Sequence, residues 1–313
     1  VTGGASADTV TLATQATGTT IDLAGEADAV VLGAFVNTVT LSNVETITGG
    51  STNDTVTLAT QATGTTVDLG AGLDDLVLGD FVNTVTVTNV ETITGGSTDD
   101  TVTFGSAVTG AVVDLGAGDD TIVFDDTGAT ATLTDVETIT GSAIDDLVTI
   151  AGADAAMSID LGAGTDRLIL GDFDGTATVS NVETITGGAS ADTVILATLA
   201  TGTTIDLAGG ADSLTLGNFV NTVTVSNVET ITGGNAADTV TLATQATAVS
   251  IDLAGGADLL QLGAFANTLT ISGVETVMGA GLADTVTLGS QATGTTVDLG
   301  AGADTLVLGS HVN

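Results

Sequence analysis

Polar and apolar residues alternate with a period of two in short runs along the whole chain, as in Thr55-Val56-Thr57-Leu58 and Thr84-Val85-Thr86-Val87-Thr88. Alternating β-branched residues predict strands with one buried face, and a helical period of 3.6 fits none of these runs. Copies of one run identify the inward face. Leu76 is always Val, Leu or Ile and Leu78 is always Leu or Phe, whereas Val77 becomes Thr215 and Gln261 and is predicted to point outward. Val67 and Leu69 are placed inward on the same grounds, with Asp68 outward. The alternation breaks at Asn89-Val90-Glu91-Thr92-Ile93, where Val90 and Ile93 cannot both face inward from a regular strand. A corner or bulge is expected there.

The runs recur with a fixed period. Asp8, Asp54, Asp100, Asp146, Asp192, Asp238 and Asp284 follow one another at steps of 46 residues, each closing a longer glycine turn. Asp28, Asp74, Asp120, Asp166, Asp212, Asp258 and Asp304 close a shorter turn at the same step. A third acidic position (Asp22, Glu45, Asp68, Glu91 and onward) steps by 23. Short strands joined at Gly and Asn corners, in an indel-free repeat, predict an all-β fold: a parallel β-solenoid, β-helix- or β-roll-like. The acidic step predicts 23-residue coils, two per 46-residue repeat. Residues 1–313 then read as one continuous solenoid of about 6.8 repeats, and as a segment of a longer protein. Phe35, Phe81, Phe173, Phe219 and Phe265 recur at one corner, where a core plug is expected; Thr127 and His311 take their place in two copies. His311 in that slot reads as a satisfied or end-exposed histidine.

Charge narrows the partners. The chain carries 39 acidic residues against one basic one, Arg167, for a net charge of −38. Nucleic acid and anionic membrane surfaces would be repelled, and cations are the natural partners. With 43% apolar residues the chain is too hydrophobic for an acidic disordered segment, yet no run is long enough to insert in a bilayer as a helix. The absence of Cys suits an extracellular bacterial protein and a cytosolic one equally.

Stacked coils turn the acidic positions into ladders. Like charges about 5 Å apart repel by about 3 kcal/mol at an effective dielectric of about 20. Almost no Lys or Arg is present to relieve this, so solvent, raised pKa values or bound cations must. A hard, oxygen-seeking cation such as Ca²⁺ suits aspartates at glycine turns, and all fourteen turn aspartates are candidate ligands. The run Gly70-Ala71-Gly72-Leu73-Asp74-Asp75-Leu76 resembles the calcium-binding nonapeptide of RTX (repeats-in-toxin, hemolysin-type) proteins, and Gly116/Gly118/Asp120, Gly162/Gly164/Asp166 and Gly300/Gly302/Asp304 match it too. The resemblance implies Ca²⁺ held between stacked coils by the turn aspartates and carbonyls, in an exported bacterial surface or secreted protein. The chain departs from that family in its 23-residue step, where the family has 18-residue coils. It also departs in the longer turn, Gly49-Gly50-Ser51-Thr52-Asn53-Asp54, which lacks the middle glycine.

No catalytic constellation can be assembled: Arg167 and His311 lie in different copies, and Tyr and Trp are absent. The expected function is an extracellular structural rod stabilised by Ca²⁺, such as an adhesin stalk or a surface-layer, biofilm-matrix or filament component. It would associate with itself or with neighbouring repeats end to end. A cation-independent filament is one alternative. The other is an ice-binding ladder of outward threonines such as Thr55/Thr57 and Thr239/Thr241, which Leu147 and Ile195 interrupt in two copies.

Overall fold

The computed structural model describes residues 1–125, 127–152, 156–172 and 174–311. It divides into two compact units, Val1–Asp154 with Leu161–Gly164, and Ala155–Asp160 with Thr165–Asn313. Among the described residues every regular element is a strand, so no helix could cross a membrane. The fold is an all-β solenoid of parallel sheets.

In the first unit, successive strands alternate between two sheets. Thr9–Thr11, Ala29–Val31, Thr46–Gly50, Thr63–Gly70, Thr84–Thr88 and Thr101–Phe104 pair in order in one sheet. Thr17–Asp22, Thr38–Ser42, Thr55–Leu58, Asp75–Val77, Thr92–Gly96 and Val108–Gly116 pair in the other. The second unit repeats this alternation, with Asp192–Leu196, Ser213–Thr215, Thr230–Thr232 and Thr247–Asp252 in one sheet. There Thr201–Asp206, Thr222–Ser226, Thr239–Leu242 and Leu259–Gln261 form the other.

The register corrects the predicted coil length. Thr9 lies beside Ala29, Ala29 beside Thr46, and Thr46 beside Thr66, so successive turns are 20, 17 and 20 positions long. None of these turns has the predicted length. Among the described residues each 46-residue repeat contributes five strands, hence two and a half turns rather than two. The even acidic step mixes positions that never stack. Asp22 ends a strand and faces solvent, where its Oδ1 accepts from Asn43 Nδ2 (2.7 Å); Glu45 sits in a corner. Because five is odd, equivalent segments of adjacent repeats fall on opposite sheets. Thr9–Thr11 and Thr101–Phe104 share one sheet and Thr55–Leu58 lies in the other, so the Thr-x-Thr pairs of successive repeats do not share a face.

The inward and outward assignments hold. Val67, Leu69, Leu76 and Leu78 are buried, and Asp68 and Val77 are half-buried on the outer face. The expected corner is present. Asn89 takes a left-handed φ of 53°, which Asn tolerates, and this lets Val90 and Ile93 both reach the core. Asn43, Asn181 and Asn227 do the same in other copies.

The phenylalanines are not core plugs. Phe35, Phe81 and Phe219 are each 40% exposed and Phe265 is 38% exposed, while Phe173 lies outside the described residues. Each ring folds back over the glycine two residues earlier, Gly79 for Phe81 and Gly263 for Phe265. The side chain under that corner is the asparagine two residues later. Asn37, Asn83, Asn221 and Asn267 are at most 1% exposed. A slot lined by backbone carbonyls rewards an amide donor over a hydrocarbon ring. His311 occupies the phenylalanine slot, is exposed, and lies 3.1 Å from Gly289 O through Nε2.

Candidate functional site

Twelve of the fourteen turn aspartates are, with the corner asparagines, among the most buried polar groups of the described residues. Asp28, Asp54, Asp74, Asp100, Asp120, Asp146, Asp166, Asp192, Asp212, Asp238, Asp258 and Asp284 are all 2% exposed or less, while Asp8 and Asp304 are half-buried. They do not form one column. Asp8 and Asp28 precede strands of one sheet, Asp54 and Asp74 precede strands of the other, and the two pairs therefore lie on opposite edges.

On each edge, neighbouring turns are joined by a ladder in which a side chain of one turn accepts the backbone N–H of the turn before. Ala16 N–H donates to Asn37 Oδ1 (3.0 Å), Asn37 N–H to Asp54 Oδ1 (3.0 Å), Asp54 N–H to Asp74 Oδ1 (2.6 Å), and Asp74 N–H to Glu91 Oε2 (2.8 Å). The next repeat builds the same order on the opposite edge, from Ala62 through Asn83, Asp100 and Asp120 to Glu137. In the second unit the order Ala200, Asn221, Asp238, Asp258, Glu275 repeats it. The Asn-to-Asp and Asp-to-Asp separations, 17 and 20, are the lengths of the two kinds of turn, which is why these residue types recur where they do.

The asparagines and the glutamates' role were not anticipated. Asn83 Nδ2 donates to Phe81 O (2.6 Å), Gly79 O (3.1 Å) and Asp100 Oδ1 (2.9 Å), so one amide holds the corner to the carboxylate. The recurring spacing from Asn to Asp in Asn37/Asp54 and Asn83/Asp100 is the sequence signal for it. Copies with Ala129 or Gly175 at this position lack the amide, and Ala129 N–H donates to Asp146 Oδ1 directly (2.6 Å). Asn83→Ala is therefore expected to keep the rung to Asp100 while losing the first rung, which strands Ala62 N–H and two carbonyls. That costs about 1–3 kcal/mol. The midpoint of thermal unfolding should fall by several degrees, and an unchanged midpoint would contradict this role.

In most copies the second oxygen separates the two sets of aspartates. In the longer turn, Oδ2 of Asp8, Asp192 and Asp238 accepts from the backbone N–H of Gly4 (2.9 Å), Gly188 (3.1 Å) and Gly234 (3.4 Å), and Asp146 Oδ2 accepts from Ser142 (2.8 Å). In the shorter turn, Oδ2 of Asp28, Asp74, Asp212 and Asp258 is buried and has no hydrogen-bond partner, a state that Asp54, Asp100 and Asp284 of the longer turn share. Burial pushes Asp74, Asp192 and Asp258 up to about 6. The N–H donated by the adjacent turn opposes the rise at Asp74 and Asp258, and the neighbouring Glu91 and Glu275 charges add to it. Asp100 and Asp212 are raised by burial as well. Among the described residues no three carboxylate or imidazole groups converge as a ready-made metal cage.

The glycines keep this edge tight. A Cβ on Gly70 would collide with Gly50 O, and one on Gly49 with Leu69 O. Gly72, with φ of 158°, leaves its Cβ position 3.0 Å from Asp74 Oδ1. Compared with known proteins, the chain matches no family model and no curated protein sequence.

Proposed function

We propose that this chain is an extracellular structural repeat segment, of an adhesin stalk, surface layer, biofilm matrix or filament, whose buried carboxylate ladders are completed by Ca²⁺. The observation that carries the reading is the row of short-turn aspartates with a buried, unpartnered Oδ2. A buried acceptor without a donor is costly, and a buried carboxylate without a counter-charge is costlier. The chain offers Arg167 alone as a Lys or Arg side chain, so the counter-charge has to come from outside it.

Asp28, Asp74, Asp212 and Asp258 would hold the ion through Oδ2. Ca²⁺ takes six to eight oxygens, so backbone carbonyls of the glycine turns and water would complete its shell. The longer-turn aspartates, whose second oxygen is occupied in several copies, act as structural caps. Secretion fits the same reading, because extracellular Ca²⁺ is abundant, and association of such segments with neighbouring repeats is proposed with it.

Chelation by EDTA is expected to lower the melting temperature and expand the chain, and added Ca²⁺ to restore both. An ion held at 100 times its dissociation constant contributes about 2.7 kcal/mol per site. Several sites would therefore shift the midpoint by on the order of 10 °C or more. If EDTA leaves melting and hydrodynamic radius unchanged, the chain is a cation-independent rod.

A further inference from the structure

A second feature recurs with the repeat beside the aspartate turns and shares only their ladder-ending glutamate. The ladders stop at a glutamate, and one turn later on that edge stands an alanine after Glu45, Glu183, Glu229 and Glu275, and Val108 after Glu91. Between them a groove opens, of about 150 Å³ beside Glu45, 190 Å³ beside Glu91, 100 Å³ beside Glu183, 80 Å³ beside Glu229 and 480 Å³ beside Glu275. Its origin is the unequal turn length. The tight corner at residues 43–45 is followed by the longer one at 59–65, where Gly64 takes a φ of 68° and the pairing shifts between Thr63 and Thr65. The longer corner overhangs the shorter.

Part of the lining is constant. Each groove has the ladder-ending glutamate and a hydroxyl side chain at the positions of both Thr60 and Thr63, always Thr or Ser in the five copies; Thr65, Thr203, and Ser272 with Thr295 add further hydroxyls in three of them, and Asp252 a second carboxylate beside Glu275. Buried apolar side chains such as Val44 and Leu58 contribute its inner wall. The first hydroxyl is fixed in place, because Asn43 N–H donates to Thr60 Oγ1 (2.9 Å), as Asn181 does to Thr198 (3.0 Å) and Asn227 to Thr244 (3.0 Å). Glu45 is held too, through Oε2 on Asp28 N–H (2.7 Å). Three acceptors, one of them charged, thus surround a space with an apolar wall.

We propose that these grooves bind primary alkylammonium groups, one per groove. An –NH₃⁺ has three donors and one charge, matching two hydroxyls and one carboxylate, and its methylene stem suits the apolar wall. A divalent metal ion wants several carboxylates and six or more oxygens, and four of the five grooves offer a single carboxylate, the ladder-ending glutamate. The chain contains no lysine that could fill the grooves from within: its one Lys-or-Arg residue is Arg167. The ammonium therefore comes from another molecule, either a partner's lysine side chain or a free alkylamine.

The test uses the whole chain with saturating Ca²⁺ in about 0.15 M salt, where long-range attraction to the net negative charge is screened. Three probes are titrated calorimetrically: Nα-acetyl-lysine methylamide, its Nε-trimethyl counterpart and n-butylamine. The lysine derivative is expected to saturate near one equivalent per groove, and the trimethyl form, with equal charge and no N–H, to bind at least about fivefold more weakly. Butylamine matching the lysine derivative assigns the grooves to free alkylamines, and weaker butylamine binding assigns them to lysine side chains. Substituting Thr63, Thr109, Thr201 and Thr247 by Val, which keeps side-chain volume, should weaken lysine binding without altering the response to EDTA. Equal binding of the trimethyl form overturns the proposal, as does unaltered affinity in a folded valine variant.

Discussion

Gly70→Ala is expected to be among the most damaging conservative changes in the first unit. Gly70 has a φ of 88°, outside the range that L side chains adopt readily, and its new Cβ would run into the Gly50 carbonyl of the neighbouring turn. The obstacle is backbone held by sheet pairing, with Gly50 lying opposite Gly70 in register, so the neighbour cannot swing aside. A loss above about 4 kcal/mol follows, and a midpoint lower by on the order of 10 °C. Gly64→Ala is the matched control: its φ is 68°, but nothing lies within 4 Å of the new Cβ. It should cost only about 1–2 kcal/mol of left-handed strain. Thermal unfolding followed by circular dichroism compares the two directly. Similar losses for both would mean that the turns are loose enough to part, and that the edge is not the tight element described above.

In EDTA, melting temperature should rise as pH falls from 7 to 5. Asp74, Asp192 and Asp258 are pushed up to about 6, from an ordinary value near 3.8. A carboxyl that is harder to ionise in the fold than in the unfolded chain favours the fold when protonated. Its contribution is fully present below pH 3.8 and is lost as pH rises through about 6. Asp100 and Asp212 move the same way, and protonation of the exposed acids relieves the same repulsion. The gain should reach on the order of 10 °C in midpoint. With Ca²⁺ bound, the dependence should flatten or reverse, because protons then compete with the ion. Many acidic proteins lose stability over this interval, so a midpoint that falls on acidification in EDTA would show the buried carboxylates to be satisfied while ionised.

Strand direction and facing were legible in the sequence because aligned copies are repeated measurements of one position. Val77 varying to Thr215 and Gln261 beside an always-apolar Leu76 could mean little else. Turn length was obscured by an accident of spacing. Asp22 and Glu45 are both acidic and half a repeat apart, yet one accepts from Asn43 on the outer face and the other from Asp28 in a corner. Counting the strands in one repeat, five, would have exposed the error, since two equal coils cannot share an odd number. The asparagine and phenylalanine roles were inverted for a different reason. Hydrophobicity places Phe81 inside and Asn83 outside, but the space beneath that corner is walled by carbonyls and a carboxylate, and only the three-dimensional arrangement of Phe81 O, Gly79 O and Asp100 reveals it.

Five strands per repeat in a two-sheet solenoid also constrain what such a gene can evolve. Losing or gaining one repeat within either unit turns everything after it by half a revolution, exchanging its two flanks. Only repeats taken in pairs can be exchanged without this effect. Near-identical repeats invite unequal recombination, and a surface chemistry confined to one flank would be scrambled by each odd event. Within each unit the problem is reduced, because ladders and grooves appear on the two flanks in turn. Within a unit either side presents the same features, so the number of repeats can change without changing what a flank presents.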